Sequence, residues 1–574
     1  MSRGVKRILT VSIVMLLLVA LGVGAILIKK YSPSREQKAL TEYFGVEQGS
    51  TDVIVVLQDT ISETRGKYID GKYYLNINQV SQVLNERFYW DQYENTLIYT
   101  TSTDVIKAAV GETGYSVNQS KTDTDYVIVK VEGSDAYVAL DFVKQYSGIK
   151  YETFENPYRV VIQYRFGEEE QFVRVEKDTK IRVEPGIKFA WLEELDKEVD
   201  GDAKLRVLDG GADQGVEKNF LKVISADGVE GYVLKKHVSD VYKEAQTSDF
   251  VEEAYPHIQK EGTINMVWHQ VTSEYANEEL LNLLSSTKGV TTISPTWFTV
   301  SNTKGNITSL ASETYVQRAH LQGVEVWGLC GDVEDDSVDM LKLLSHTNSR
   351  EKLEKEILSA AIKYDLDGIN IDFERITQEC GVHFIQFIRE LGIRCRNNGI
   401  VLAIDNYPPT EGTSYYNRRE QAKVADYVVT MAYDEHYNGS EESGSVSSIG
   451  FVQDAVNNTI AEVPASQTII ALPFYTRLWK EVSGKKPTSE TYSMSNAEAC
   501  LINNGAKKKW DDATGQNYGE FKQDGATFKM WLEDEESLKL KLDAASEAGV
   551  AGYSFWKLGL EKSNVWNTIV KYAN

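Results

Sequence analysis

Eight apolar, strand-like segments follow one another across about the last 310 residues, most of them separated by amphipathic helical stretches, and this alternation predicts a closed parallel (β/α)8 barrel. Two further observations make the fold class multidomain: an uncharged apolar run at the amino terminus, and, between it and the barrel, a repeated small α+β module followed by short alternating strands of a small β-barrel. At 574 residues the chain is too long for one core.

Residues 8–28 carry no charge and, as a helix rising 1.5 Å per residue, extend roughly 31 Å, enough to cross a hydrocarbon core. Arg3, Lys6 and Arg7 precede the run, which favours a cytoplasmic amino end and export of the remainder of the chain. The expected location is therefore the cell membrane, single-pass, with the later domains extracytoplasmic; residues 1–30 are stub and anchor, and the helix makes the membrane a partner. The alternative is a cleaved signal and a secreted protein. Val23-Gly24-Ala25 has the small residues of a cleavage site, but Ile26-Leu27-Ile28 follow at once inside the apolar run, which argues for the anchor. Residues 31–50 are polar and read as a linker.

From 51 to 166 the pattern repeats. YYLNINQVSQVLNERFYWDQYENTLIY (73–99) aligns with AYVALDFVKQYSGIKYETFENPYRVVIQY (136–164): a strand, a helix starting near Asn78 or Asp141, then a hairpin turning at Glu-Asn. The stretch resembles the small domain named after the amino-terminal part of copper amine oxidases. The residues do not support copper: no histidine precedes His237 and no methionine lies between Met15 and Met266, so imidazole and thioether ligands are missing. A structural or wall-contacting module is the better reading. Residues 170–245 hold short strands in FVRVEKDTKIRVEPG, KLRVLDGG and FLKVISADGVEGYVLKKHV, with a tight turn at Asp227-Gly228. They resemble a bacterial SH3-like domain; the alternative is a generic β linker domain.

Residues 255–574 carry the barrel. Its strands are INMVWHQV, TTISPTWFTV, VEVWGLC, LDGINIDFE, VLAIDNY, YVVTMAYDEH, TIIALPFYTRLW and VAGYSFW, and helices are expected at LEKEILSAAIKYD and VHFIQFIRELGIRCRNNG. A doubly wound open sheet is the competing fold, but it would want a glycine-rich phosphate-binding turn after its first strand, which VWHQVTSEYANEE lacks.

Composition excludes some functions. Acidic residues outnumber basic ones 85 to 61 without a basic block, so no footprint for nucleic acid is present. Cys330, Cys380, Cys395 and Cys500 form no Cys-x-x-Cys pair, and the histidines form no His-x-x-x-His pair, so neither a metal site nor any cofactor is expected.

The fourth segment, LDGINIDFE, carries the chemistry. Asn370, Asp372 and Glu374 share a parity and line one face of the strand over about 13 Å, climbing toward the carboxyl-terminal rim where such barrels act. Two carboxylates in a narrow core cost several kcal/mol without cationic partners. The alternative, an outward face of solvated acids, conflicts with the helices that cover these strands. Crowded, buried carboxyls suit glycoside chemistry, because a general acid must hold its proton near neutral pH. Glu374, nearest the rim, is the natural donor. Asp372, on the same face, suits support better than attack from across a sugar, so the nucleophile is expected from the substrate.

DGINIDFE resembles the catalytic signature of the family 18 glycoside hydrolases, the chitinase-like enzymes, written D-G-x-D-x-D-x-E. The resemblance implies that Glu374 is acid and later base, that Asp372 holds the acetamide nitrogen of a substrate whose own acetamido oxygen attacks, and that Asp367 and Asn370 support them. Asn370 departs from the pattern, and because an amide cannot share a proton as a carboxyl can, the pH profile is what the departure puts in doubt. Asn-containing versions occur in the spore-cortex and wall-lytic branch, which the chain resembles most. MAYD (431–434) resembles the sixth-strand motif and implies Tyr433 steadying the acetamido oxygen with Asp434 beside it. LPFYTRLW (472–479) implies Tyr475 and Arg477 near the site, and GYSFW (552–556) implies Trp556 under the sugar. Trp268 and Trp297, at the ends of strands one and two, are further stacking candidates or plain core. The expected function is a retaining, substrate-assisted glycosidase acting on β-linked N-acetylglucosamine, in peptidoglycan rather than chitin; the alternatives are a chitinase and a non-catalytic glycan-binding protein.

Overall fold

A strand covered by helices on one side and packed against other strands on the other must be apolar on both faces, and the strands in the second half of the chain are. In the computed structural model, which describes residues 3–208 and 218–573, they close into a ring. The strands are β1 (Ile264–His269), β2 (Thr292–Val300), β3 (Glu325–Gly331), β4 (Gly368–Asp372), β5 (Val401–Asn406), β6 (Tyr427–Met431), β7 (Thr468–Pro473) and β8 (Gly552–Trp556). Each pairs in parallel with the next, and β1 pairs with both β2 and β8, so the barrel is closed as the alternation predicts.

Alternate residues of these strands, among them Met266, Trp268, Trp327, Leu329, Ala403, Val429 and Ala471, fill the lumen. The residues between them form a second, larger core under the helices, with Ile369, Ile371, Leu402 and Ile404 facing Phe384, Phe387 and Leu391. The register Leu329–Asn370–Ala403 across β3, β4 and β5 puts Asn370 on the lumen face. The expected helices correspond to Thr347–Lys363 and Gly381–Asn397, each of which ends two residues before the expected stretch does. Between β7 and β8 lies an insert whose fold the sequence pattern does not reveal: a five-stranded antiparallel sheet over Tyr475–Leu532 with a helix at Met494–Asn503. The four cysteines are unpaired thiols.

The chain forms two compact units, one of Met1–Trp90, Ala108–Tyr115 and Lys121–Glu252, the other of Asp91–Lys107, Ser116–Ser120 and Glu253–Asn574. The first begins with a helix, Arg3–Tyr31, long and apolar enough over Arg7–Tyr31 to cross a membrane. Residues 31–50 are not only a linker. Leu40, Tyr43 and Phe44 lie at helical spacing, a helix forms at Leu40–Phe44, and Phe44 is buried with Ile54, Val56, Val173, Ile181 and Val233.

That cluster draws on both the α+β repeat and the strands after it, so the two share a core within one unit. Each repeat copy has its strand, its helix from Ile77 or Leu140, and a turn where Asn95 and Asn156 take positive φ, which asparagine tolerates. Among the described residues, seven strands between Glu169 and Ala245 form one antiparallel sheet. The Asp209–Gly211 end of one expected strand, and the first two residues of the stub, lie outside the described residues.

Candidate active site

The site is built at the carboxyl end of the barrel, where β4 leaves the lumen. Asn370 is fully buried and Asp372 is 9 % exposed, while Glu374, just past the strand end, is half-buried at the rim. Asn370 is held from three strands: its Oδ1 accepts from Trp268 Nε1 and from Ser294 Oγ, each at 2.9 Å, and its Nδ2 donates to Asp405 Oδ1 at 2.8 Å. An indole N–H can only donate, so the amide orientation is settled by chemistry.

The backbone that presents Glu374 is clamped. Asp332, in the loop after β3, accepts from the N–H of Glu374 at 2.9 Å and of Arg375 at 3.2 Å, and Tyr416 donates to the carbonyl of Phe373 at 2.9 Å. The Arg375 guanidinium is spent on the carbonyls of Asp332, Asp335 and Asp336, so it does not neutralise the carboxyls. Tyr407, just beyond β5, donates to Glu374 Oε2 at 2.6 Å.

The electrostatics follow from crowding. Burial, with the charges of Asp405 and Glu374 adding to it, pushes the Asp372 carboxyl well above the usual range. Burial also raises Glu374, against the Tyr407 hydrogen bond that favours its charged form. Burial lifts Asp332 to about 6 despite its two backbone donors. Among the described residues no lysine or arginine donates to Asp372, Glu374 or Asp405. Such an arrangement disfavours ionisation of these carboxyls and suits delivery of a proton to an oxygen at the rim. Among the described residues no group of three His, Cys, Asp or Glu side chains is set to hold a metal ion.

Tyr433, at the end of β6, packs into the lumen cluster, and the charges of Asp372, Asp405 and Glu374 act on its hydroxyl. Asp434 follows with φ +56°, a turn that brings its Oδ1 to Tyr475 Oη at 2.6 Å. The Tyr433 and Tyr475 rings meet edge to face at 6.3 Å. Trp556 is partly exposed at the end of β8, with its ring 5.9 Å from Trp268. Arg477 follows Tyr475 into the insert, where it donates to Ser489 Oγ at 3.3 Å.

Three expectations need correction. Trp268 is 1 % exposed and serves as a lumen side chain that holds Asn370, so it offers no free face to a sugar. Trp297 is also 1 % exposed; it packs against Tyr315 in the helix-facing core and donates to Asn277 at 2.8 Å. Asp367 lies at the opposite end of β4, accepting from His320 and the Val326 N–H, each at 2.8 Å, so it anchors the bottom of the barrel. Sequence reasoning missed Tyr407, Asp332 and Asp405. The one signal was residue type, polar side chains toward strand ends within IDNY and GLCGD, with nothing in the spacing to assign them a role.

Comparison with known proteins agrees with the fold. Residues 334–561 match the family model Glycosyl hydrolases family 18, and residues 59–162 match the Copper amine oxidase N-terminal domain. Among curated relatives, a cortical fragment-lytic enzyme of Bacillus cereus is 24 % identical over 237 residues, 40 % of this chain and 55 % of that one. An uncharacterized glycosylase of Bacillus subtilis, YvbX, is 22 % identical over 280 residues, 46 % of this chain and 80 % of that one. The chain thus spans about half the length of the first of these relatives. The crystal structure of the Bacillus cereus spore cortex-lytic enzyme SleL shares the fold, with TM-score 0.50 and 20 % identity over 58 % of this chain and 78 % of that one.

Proposed function

Since the second unit carries a family 18 glycosyl hydrolase domain, we propose that it cleaves β-linked N-acetylglucosamine bonds with retention, the substrate's acetamido oxygen acting as nucleophile. The observation that carries this is the column Asp372–Glu374 at the rim, buried, uncompensated by cations and with Glu374 oriented by Tyr407. Glu374 protonates the leaving oxygen and later deprotonates water. Asp372 accepts the acetamido N–H, Tyr433 steadies the acetamido oxygen, and Trp556 lines the sugar face, while the buried Tyr475 packs against Tyr433 and holds Asp434. Asp372 lies on the same strand and face as Glu374, so it cannot attack from across a cleft, which leaves that role to the substrate.

The substrate we assign is peptidoglycan. A relative named for lysis of cortical fragments supports it, as does an amino-terminal helix able to hold the barrel at a membrane. Helix Arg3–Tyr31 would anchor the chain with the residues after it outside the cell; processing of that helix as a signal would release the protein instead.

The test is digestion of purified peptidoglycan and of chitin oligomers by the full chain in detergent, followed by mass spectrometry. Muropeptides ending in reducing N-acetylglucosamine, absent with Glu374→Gln, are expected. Cleaved chitin oligomers with intact peptidoglycan would overturn the substrate, and undiminished turnover by Glu374→Gln would overturn the site.

A further inference from the structure

One buried carboxyl of the lumen, Asp405, has no part in the proposed reaction. The β4–β5 register pairs Asn370 with Ala403 and Ile371 with Ile404, which sets the next residues, Asp372 and Asp405, side by side on adjacent strands, roughly 4.8 Å apart in backbone spacing. Both have lumen parity, and Asp405 is 2 % exposed. Asp372 Oδ1 and Asp405 Oδ2 are buried without a hydrogen-bond partner, while Asp405 Oδ1 accepts from Asn370. The charged and titratable groups that act on the pair are Glu374 from the end of β4, Cys330 from β3 with Asp332 and Glu334 from the loop after it, Tyr407 from just beyond β5 and Tyr433 from the end of β6, and none of these is a cation. Two adjacent carboxylates in such surroundings cannot both stay ionised. Burial accordingly pushes Asp405, like Asp372, well above the usual carboxylate range.

Asn370 fits this arrangement and an aspartate would not. With its oxygen committed to Trp268 and Ser294, residue 370 must meet Asp405 with its other terminal atom, and an amide presents a donor there at every pH, whereas a carboxyl would do so only when protonated. A carboxylate at 370 would set a third negative group against the pair.

We propose that Asp372 and Asp405 form a dyad sharing one proton, in which Asp405, held by Asn370, is the positioning residue that takes the proton from Asp372 when the acetamido N–H of the substrate arrives. The Asp372 O–H bond breaks and an Asp405 O–H bond forms, so the dyad keeps one negative charge. The freed Asp372 oxygen accepts the substrate N–H, and the proton returns when product leaves. The inference rests on the role proposed for Asp372 as acceptor of the acetamido N–H.

The test compares wild type, Asp405→Asn, the double variant N370D/D405N and Glu374→Gln, all as full chain in detergent. Their kcat and KM are measured on a chromogenic N-acetylglucosamine oligosaccharide across pH, with melting temperature as the check on folding. Asp405→Asn should lose about tenfold to a hundredfold in kcat with little change in KM. Its loss should deepen as pH falls, because in the bound complex a proton on Asp372 then has no acceptor within the site and must leave to solvent before the acetamido N–H is engaged. The double variant returns a carboxyl to the network one pleat below Asp372 and should regain about tenfold. Wild-type kcat and pH profile in Asp405→Asn would overturn the dyad, and so would a pH-independent loss that the double variant does not relieve. Should Asp405→Asn fail to fold, the double variant decides alone: kcat within about tenfold of wild type supports the dyad, and a larger loss overturns it. Wild-type turnover in Glu374→Gln would overturn the underlying reading of the site, whereas an inactive Glu374→Gln beside an unaltered Asp405→Asn would overturn the dyad alone.

Discussion

The helical wall of the barrel and its lumen rim both bury charge, and they treat it in opposite ways. In the wall buried charges are paired with counter-ions: Arg350 with Glu390 at 3.0 Å, Arg389 with Glu420 at 2.8 Å, and Lys541 with Glu533, every one of these side chains almost fully buried. At the rim Asp372 and Asp405 have no cation beside them, and the charges that act on them are those of other carboxyls. Burying charge for stability requires pairing it. Leaving it unpaired raises the carboxyl pKa, which a stable scaffold does not need and a proton donor does.

The contrast is tested first at its strongest point. Glu374→Gln should lower turnover by about a thousandfold while oligosaccharide binding, followed by calorimetry, survives. The wall should respond in stability instead. Arg350→Met strands Glu390 in the core and should cost about 3–5 kcal/mol in denaturant unfolding, with kcat unchanged in whatever fraction remains folded.

Asp372→Asn should separate the two regions most sharply, because it removes an unpaired charge. Turnover should fall about a hundredfold. A carboxyl whose folded pKa lies above its unfolded one lends stability below the unfolded value and loses it as pH rises through the folded one. The wild type is therefore penalised at alkaline pH, and Asp372→Asn should melt at or above the wild-type temperature at pH 8. A marked drop there would place Asp372 with the paired charges of the wall.

The smallest effect is expected from Tyr407→Phe. Its hydroxyl favours the ionised form of Glu374, so its loss should raise the Glu374 pKa further and move the alkaline limb of kcat/KM upward. Movement toward acid would contradict the assigned proton.

Much of the barrel was legible because period and parity carry it. The eight segments are the eight strands, and the shared parity of Asn370, Asp372 and Glu374 reads directly as a column in the lumen. The same rule, applied to Asp367, would have set it on the other face. Trp297 was not readable, because TTISPTWFTV is apolar on both faces and a register shift between Thr296 and Phe298 interrupts the alternation. Tyr407 and Asp332 lie just past strand ends, where no periodicity constrains direction. Asp405 sits in an apolar strand, and its meaning comes only from the β4–β5 register, which sequence spacing does not specify.

Catalysis in this scheme turns on a substrate that supplies its own nucleophile to a protonated Glu374. The most direct measurement is turnover on a matched pair of oligosaccharides, one carrying the 2-acetamido group at the cleaved sugar and the other a free 2-amine. Cleavage of the acetamido compound with no detectable cleavage of the amine is the predicted result, and equal rates on both would contradict it.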